Sequence, residues 1–269
     1  MYSLFIRPFV RRMKAQRANQ IALRYFKFLG KIPGGRFVNR LVHHNKATVL
    51  QREVFGLKFY NPLGLGAGLD IQGDLYNDLN DLGFSFSEIG PLNAATARNA
   101  VRNIQNDPQN DILAACIGSD YLISFSLSYD FCDFFVIEIK SSGDMHIMDE
   151  LLDTRLTYDN YKPIVAKIPE EMMGDELDKV IDHCIMGGVD GIEVRSYTQL
   201  TRAHEYTKGR FPIIANCHIK TPGEAAKALS LGAELIVVRS GLVTQGPRLV
   251  ASILRYLSAK NSNNEQNKR

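Results

Sequence analysis

The sequence predicts an α/β protein, a (β/α)8 TIM barrel preceded by a basic N-terminal helical segment. Three observations carry this reading. From Glu53 onward, eight short apolar runs alternate with amphipathic stretches, the pattern of a parallel sheet with crossover helices. A helix-ending glycine leads straight into an apolar run three times, at Leu82-Gly83, Met186-Gly187 and Leu231-Gly232, as a repeated αβ unit requires. Charge divides the chain: residues 1–52 hold twelve Lys/Arg and no Asp or Glu, leaving twenty basic against twenty-nine acidic residues beyond. The expected organisation is a basic helical segment at 1–52, the barrel at 53–258 and a disordered polar tail at 259–269.

The leader comes first. Leu4, Phe5, Phe9, Val10 and Met13, then Ile21, Ala22, Tyr25, Phe26, Phe28 and Leu29, recur at helical spacing with basic residues between them. Two amphipathic helices are expected, the second ending before Gly30, with a further short helix over Phe37–His44. Such cationic, aromatic-faced helices suit an anionic membrane surface, which would place the protein in the cytoplasm, peripheral on the inner face of the membrane. A helical arm packed on the barrel and an organelle transit peptide are alternative readings of the same residues. No recognised nucleic-acid motif accompanies the basic charge, so no nucleic-acid partner is expected.

The apolar runs are Pro62–Gly66, Phe84–Gly90, Ile112–Gly118, Phe134–Lys140, Pro163–Ile168, Gly191–Ser196, Pro212–Cys217 and Leu235–Ser240. Eight is the number that closes a barrel. Between them, Leu177, Val180, Ile181, Cys184 and Ile185 form one helical stripe, and Thr221-Pro222-Gly223-Glu224 is a capping box with proline at the first helical position. Four cysteines without CxxC spacing argue against a disulfide framework or a zinc site, and the six histidines have no metal-ligand spacing. No apolar run is long enough to span a bilayer.

In such barrels chemistry sits where strands end. Those ends carry Asp70, Gly90, Cys116, Glu138, Lys140, Ser141, Lys167, Arg195, Ser196, Cys217, His218, Arg239 and Ser240. A strand alternates faces, so Glu138 shares a face with Lys140, and Glu193 with Arg195; facing inward, they would fill the mouth with charge.

Tyr60-Asn61-Pro62-Leu63-Gly64-Leu65-Gly66-Ala67-Gly68-Leu69-Asp70 resembles the first strand of the quinone-dependent (class 2) dihydroorotate dehydrogenases. The likeness continues at Leu82-Gly83-Phe84 and Glu88-Ile89-Gly90, returns at Leu235–Gly241 and Gly246-Pro247, and includes the opening Met1-Tyr2 with Phe9-Val10-Arg11. The resemblance implies FMN-dependent oxidation of dihydroorotate to orotate in pyrimidine synthesis, with a membrane quinone as electron acceptor. It assigns FMN contacts to Gly66, Ala67, Gly68, Gly90, Lys167, Arg239, Ser240 and Gly241, and the proton-abstracting position to Ser141.

Departures from the family pattern are concentrated in the site. Ile71 stands where the family has lysine, and Glu138, Gly143, Cys116 and Ser196 where it has asparagines. Cys217-His218 replaces the phosphate-receiving Gly-Gly, Arg239 replaces an uncharged residue, and Pro91–Asn110 replaces an asparagine-bearing loop. Lost amides leave substrate polar groups unmatched at roughly 1–3 kcal/mol each. A flavin barrel with degraded catalysis is therefore expected, the alternatives being a non-catalytic membrane-surface partner or a barrel for another phosphorylated ligand.

Overall fold

A computed structural model describes residues 50–106 and 111–266, the helix Ala15–Lys31, and Tyr2, Ile6 and Met13. The helices expected around Leu4–Met13 and Phe37–His44 lie outside the described residues.

Eight parallel strands close into a barrel: β3 (Leu63–Leu65), β4 (Phe86–Leu92), β5 (Ile112–Ile117), β6 (Phe134–Glu138), β7 (Ile164–Lys167), β8 (Gly191–Val194), β9 (Ile213–Ala215) and β10 (Leu235–Val238). Neighbours pair in sequence order and β10 closes on β3, with Val237 opposite Gly64. Helices α2 (Tyr76–Asn80), α3 (Ala94–Asn106), α4 (Tyr121–Ser128), α5 (Met145–Arg155), α6 (Gly174–Gly187), α7 (Tyr197–Thr207), α8 (Pro222–Ser230), α9 (Ser240–Gln245) and α10 (Arg248–Gln266) follow the strands. Both sheet faces are buried, which is why the strands read as unbroken apolar runs.

Inward-facing side chains separate into two zones along the barrel axis. The lower zone is apolar, and an unforeseen hairpin closes it from below. Strands β1 (Arg52–Val54) and β2 (Leu57–Phe59) are joined by Phe55-Gly56, both at positive φ. That geometry matches the right-handed twist of a two-residue hairpin. The hairpin inserts Phe59 against Phe86 and Phe134, with ring centroids 5.3 and 6.3 Å away. With that layer packed, polar inward residues are confined to the upper rim.

Several boundaries differ from the sequence expectation. Helix α1 (Ala15–Lys31) continues through Gly30. Ala18, Ala22 and Phe26 of α1 are buried in the main core, so this apolar face packs on the barrel. The segment read as a rewritten loop, Pro91–Asn110, contains α3, started by Asn93, whose side chain accepts from the N–H groups of Ala95 and Thr96. On α6 the stripe stops at Cys184; Ile185 is 47% exposed because the last turn runs past the sheet. Gly188, not Gly187, supplies the left-handed residue after that helix (φ 84°). The tail expected to lack structure from 259 instead extends α10 to Gln266. There the intrahelical backbone bonds need no apolar partner.

Candidate active site at the barrel mouth

At the rim, the inward periodicity places Glu88, Cys116, Glu138, Lys167 and Glu193 around one volume. Register sets Glu138 beside Lys167 and Lys167 beside Glu193 on three consecutive strands. The Lys167 ammonium lies 3.0 Å from Glu193 and 3.5 Å from Glu138, with Cys116 Sγ at 3.8 Å. Asn216 donates to Glu193 Oε1 at 2.7 Å, and the Ala67 N–H donates to Glu88 Oε2 at 3.0 Å. The expected inward network therefore forms, but with different pairings. Glu193 pairs with Lys167 rather than Arg195, and Lys140 is exposed.

Sequence reasoning treated Glu88 as a motif residue and missed its chemistry. Glu88 and Glu193 are both fully buried. Burial, and then the neighbouring Glu193 carboxylate, push Glu88 well above the ordinary carboxylate range. Glu88 Oε1 and Glu193 Oε2 have no other partner among the described residues. A proton held on Glu88 and directed at Glu193 satisfies both oxygens and leaves one charge for Lys167. Burial alone would lower the Lys167 ammonium. Cys116 and the glutamates Glu193, Glu88 and Glu138 reverse this and hold it well above 10.5. Burial likewise pushes the Cys116 thiol well up.

The positions assigned to the flavin have different surroundings. The Arg239 guanidinium donates to the Ala67 carbonyl at 3.2 Å. It also lies across Gly68, with Nη1 2.6 Å from where a Cβ would stand. Gly66 faces Val237 and Arg239. Gly90 approaches the Cys116 carbonyl too closely for any side chain. Ser240 and Gly241 open the short helix α9, and the Ile219 carbonyl oxygen stands 2.2 Å from the Cβ position of Gly241. His218 holds a left-handed backbone (φ 52°) where the resemblance has glycine, while its side chain is exposed, 3.8 Å from Glu170. Cys217 beside it is buried, which raises its thiol to about 12 and removes it as a thiolate nucleophile.

Ser141 lies exposed at the rim as the cap of a single 3-10 turn, Ser142–Asp144. Its hydroxyl accepts from the Asp144 N–H, while Asp144 accepts from the N–H groups of Ser141 and Lys140. Ser196 similarly caps α7 by accepting from the Gln199 N–H. Asp70 is buried and accepts from Asp74 and Leu75 N–H groups, fixing the turn into α2; burial raises it to about 7. Among the described residues no cluster of His, Cys, Asp and Glu could hold a metal ion, and no helix is long and apolar enough to cross a membrane.

No protein-family model matches the chain. A dihydroorotate dehydrogenase (quinone) of Christiangramia forsetii is 26% identical over 338 aligned positions, covering 97% of this chain and 99% of the relative. The Proteus mirabilis protein of the same description is 25% identical over 341, covering 96% and 100%. A crystal structure of ligand-free type DHODH from Eimeria tenella superposes with a TM-score of 0.73 at 16% identity, covering 91% of this chain and 94% of that one. That structural likeness speaks for the fold. Alignments this long against 269 residues mean that the relatives carry segments missing here. With the same barrel and the strand motif ending at Asp70, the chain is similar over nearly its whole length to the quinone-dependent dihydroorotate dehydrogenases, as a shortened and divergent relative.

Proposed function

We propose that this barrel descends from the FMN-dependent oxidation of dihydroorotate but no longer performs it, and that its mouth is a charged pocket without flavin. The single observation that carries this is the state of Lys167. The resemblance gives this lysine the task of stabilising negative charge on reduced flavin. Here its ammonium is 5% exposed and committed to Glu193 and Glu138.

The residues present do not fit a flavin. The Glu138 carboxylate projects where an anionic flavin or the orotate carboxylate would lie, and no second cation contacts it among the described residues. Arg239 fills the approach over Gly68 that a flat ring needs. Ser141 is exposed and serves as a turn cap, so no proton-abstracting step is assigned to it. The absorbance spectrum of the purified chain, before and after FMN addition, tests this reading. It should stay colourless and show no visible band that comigrates with the protein. A yellow protein with stoichiometric flavin would overturn it and make electron transfer to quinone the leading account.

Association with an anionic membrane surface through residues 1–52 belongs to the same proposal, supported by their twelve cations without an anion. The full chain should cosediment with anionic vesicles at low salt and much less with neutral ones. Equal recovery with both would remove this part.

A further inference from the structure

We infer that the mouth binds a small zwitterion of α-amino-acid size, held between the Glu138 carboxylate and the Arg195 guanidinium. This rests on the flavin-free reading above and supplies the ligand class that it leaves open.

A cleft of about 260 Å³ opens at the ends of β6, β7 and β8, with Glu138, Lys140, Lys167, Glu171 and Arg195 as its charged lining. A water takes about 30 Å³, so this space holds the volume of roughly nine waters, enough for a ligand of about ten heavy atoms. Pockets for drug-sized ligands start at about 300 Å³.

The charges select within that size class. Lys167 is already matched by Glu193 at 3.0 Å. Glu138 reaches it only at 3.5 Å, keeps a third of its side chain exposed, and has a second carboxylate oxygen with no partner among the described residues. Arg195 is half-buried, and its one hydrogen bond among the described residues is made by the backbone N–H, to Gln199. Its guanidinium is thus a free fork, the geometry that receives a carboxylate bidentately. A monoanion would satisfy Arg195 and leave Glu138 repelling it. A monocation would do the reverse. A zwitterion satisfies both.

Glu138 closes β6 and Arg195 directly follows the last residue of β8, on the far side of β7, and both line the same cleft. Lys140 and Glu171 at the outer edge have the same two signs and would meet a polar side chain.

Thermal denaturation of the full chain with each standard L-α-amino acid at about 10 mM tests this. Each is paired with its N-acetyl derivative and its decarboxylated amine. At least one amino acid should raise Tm by about 5 °C, while its two singly charged analogues give less than a fifth of that. Arg195→Gln and Glu138→Gln should each abolish the shift while leaving the unliganded Tm within about 2 °C. A chain that no amino acid stabilises, or a shift that survives both substitutions, overturns the inference. The two readings fail separately. A colourless protein without an amino-acid response defeats the zwitterion alone, whereas a yellow one defeats the flavin-free mouth.

Discussion

At the scale of single residues, the mouth is governed by three carboxyl groups gathered around one lysine. Because burial and Glu193 raise Glu88, its contribution to stability is fully present below the unfolded value near pH 4 and is lost as pH rises toward the folded value. Glu88→Gln removes that loss. The amide oxygen can still accept from Ala67, and the amide nitrogen can donate toward Glu193 as the carboxyl proton does. The variant should equal the parent near pH 4 and exceed it progressively toward pH 9, by up to about 1.4 kcal/mol per pH unit. Lys167→Met leaves Glu193 buried without its cation and should cost about 3–5 kcal/mol at neutral pH. Urea denaturation from pH 4 to 9 measures both. A parent-like pH profile in Glu88→Gln would show that Glu88 ionises freely in the fold. Glu138 and Lys167 were legible in the sequence because period-two alternation places them on the inner face. Glu88 has the same parity as Phe86 on β4 and could have been found that way. Its raised pKa could not, because it comes first from burial inside the closed barrel and then from Glu193, 105 positions away on β8.

At the scale of elements, the interior depends on glycine wherever a large ring crosses the axis. Gly64 on β3 faces Phe86 on β4 so closely that an added Cβ would stand 2.2–2.5 Å from the ring. Gly64→Ala must therefore displace Phe86, which also touches Phe59 and Phe134 at the barrel floor. It should cost about 1–3 kcal/mol in equilibrium unfolding. Adding Phe86→Leu should recover part of that loss; a double variant no more stable than Gly64→Ala alone would refute steric crowding as the cause. All eight strands were legible because each is a continuous apolar run; most expectations overran by a residue or two where the run continues into a loop, whereas β4 runs two residues beyond the expected Gly90 to Leu92. The β1–β2 hairpin was not, because Phe55-Gly56 lacks the Asn-Gly or Asp-Gly signature and Phe55 takes positive φ against its preference. Its left-handed turn brings Phe55 against Gly191, where a Cβ would come within 2.6 Å of the ring. Helix α3 was hidden by polar residues, since only Ala97, Ala100 and Ile104 face the core.

At the scale of the whole molecule, a leader of twelve cations adjoins a remainder, residues 53–269, with nine more acidic than basic residues, an arrangement that invites long-range attraction. The magnitudes say otherwise. The described ion pair between α1 and the barrel, Lys27 with Asp74, is exposed by 47% and 40%, and such pairs contribute at most about 1 kcal/mol. Phe26 is 2% exposed among core residues and contacts the rings of Tyr2 and Tyr25, so truncating it should cost about 3–5 kcal/mol. Docking of α1 is therefore apolar, and the cations on its outer side remain available to a partner surface. Hydrogen exchange across residues 18–27 should be nearly unchanged between low salt and about 1 M, where the Debye length falls to about 3 Å. Lys27→Ala should leave that protection within about twofold, whereas Phe26→Ala should speed exchange at least tenfold. If salt or Lys27→Ala exposes α1 as much as Phe26→Ala does, charge rather than burial holds the leader, and its cations are spent on the barrel instead of being free for a membrane.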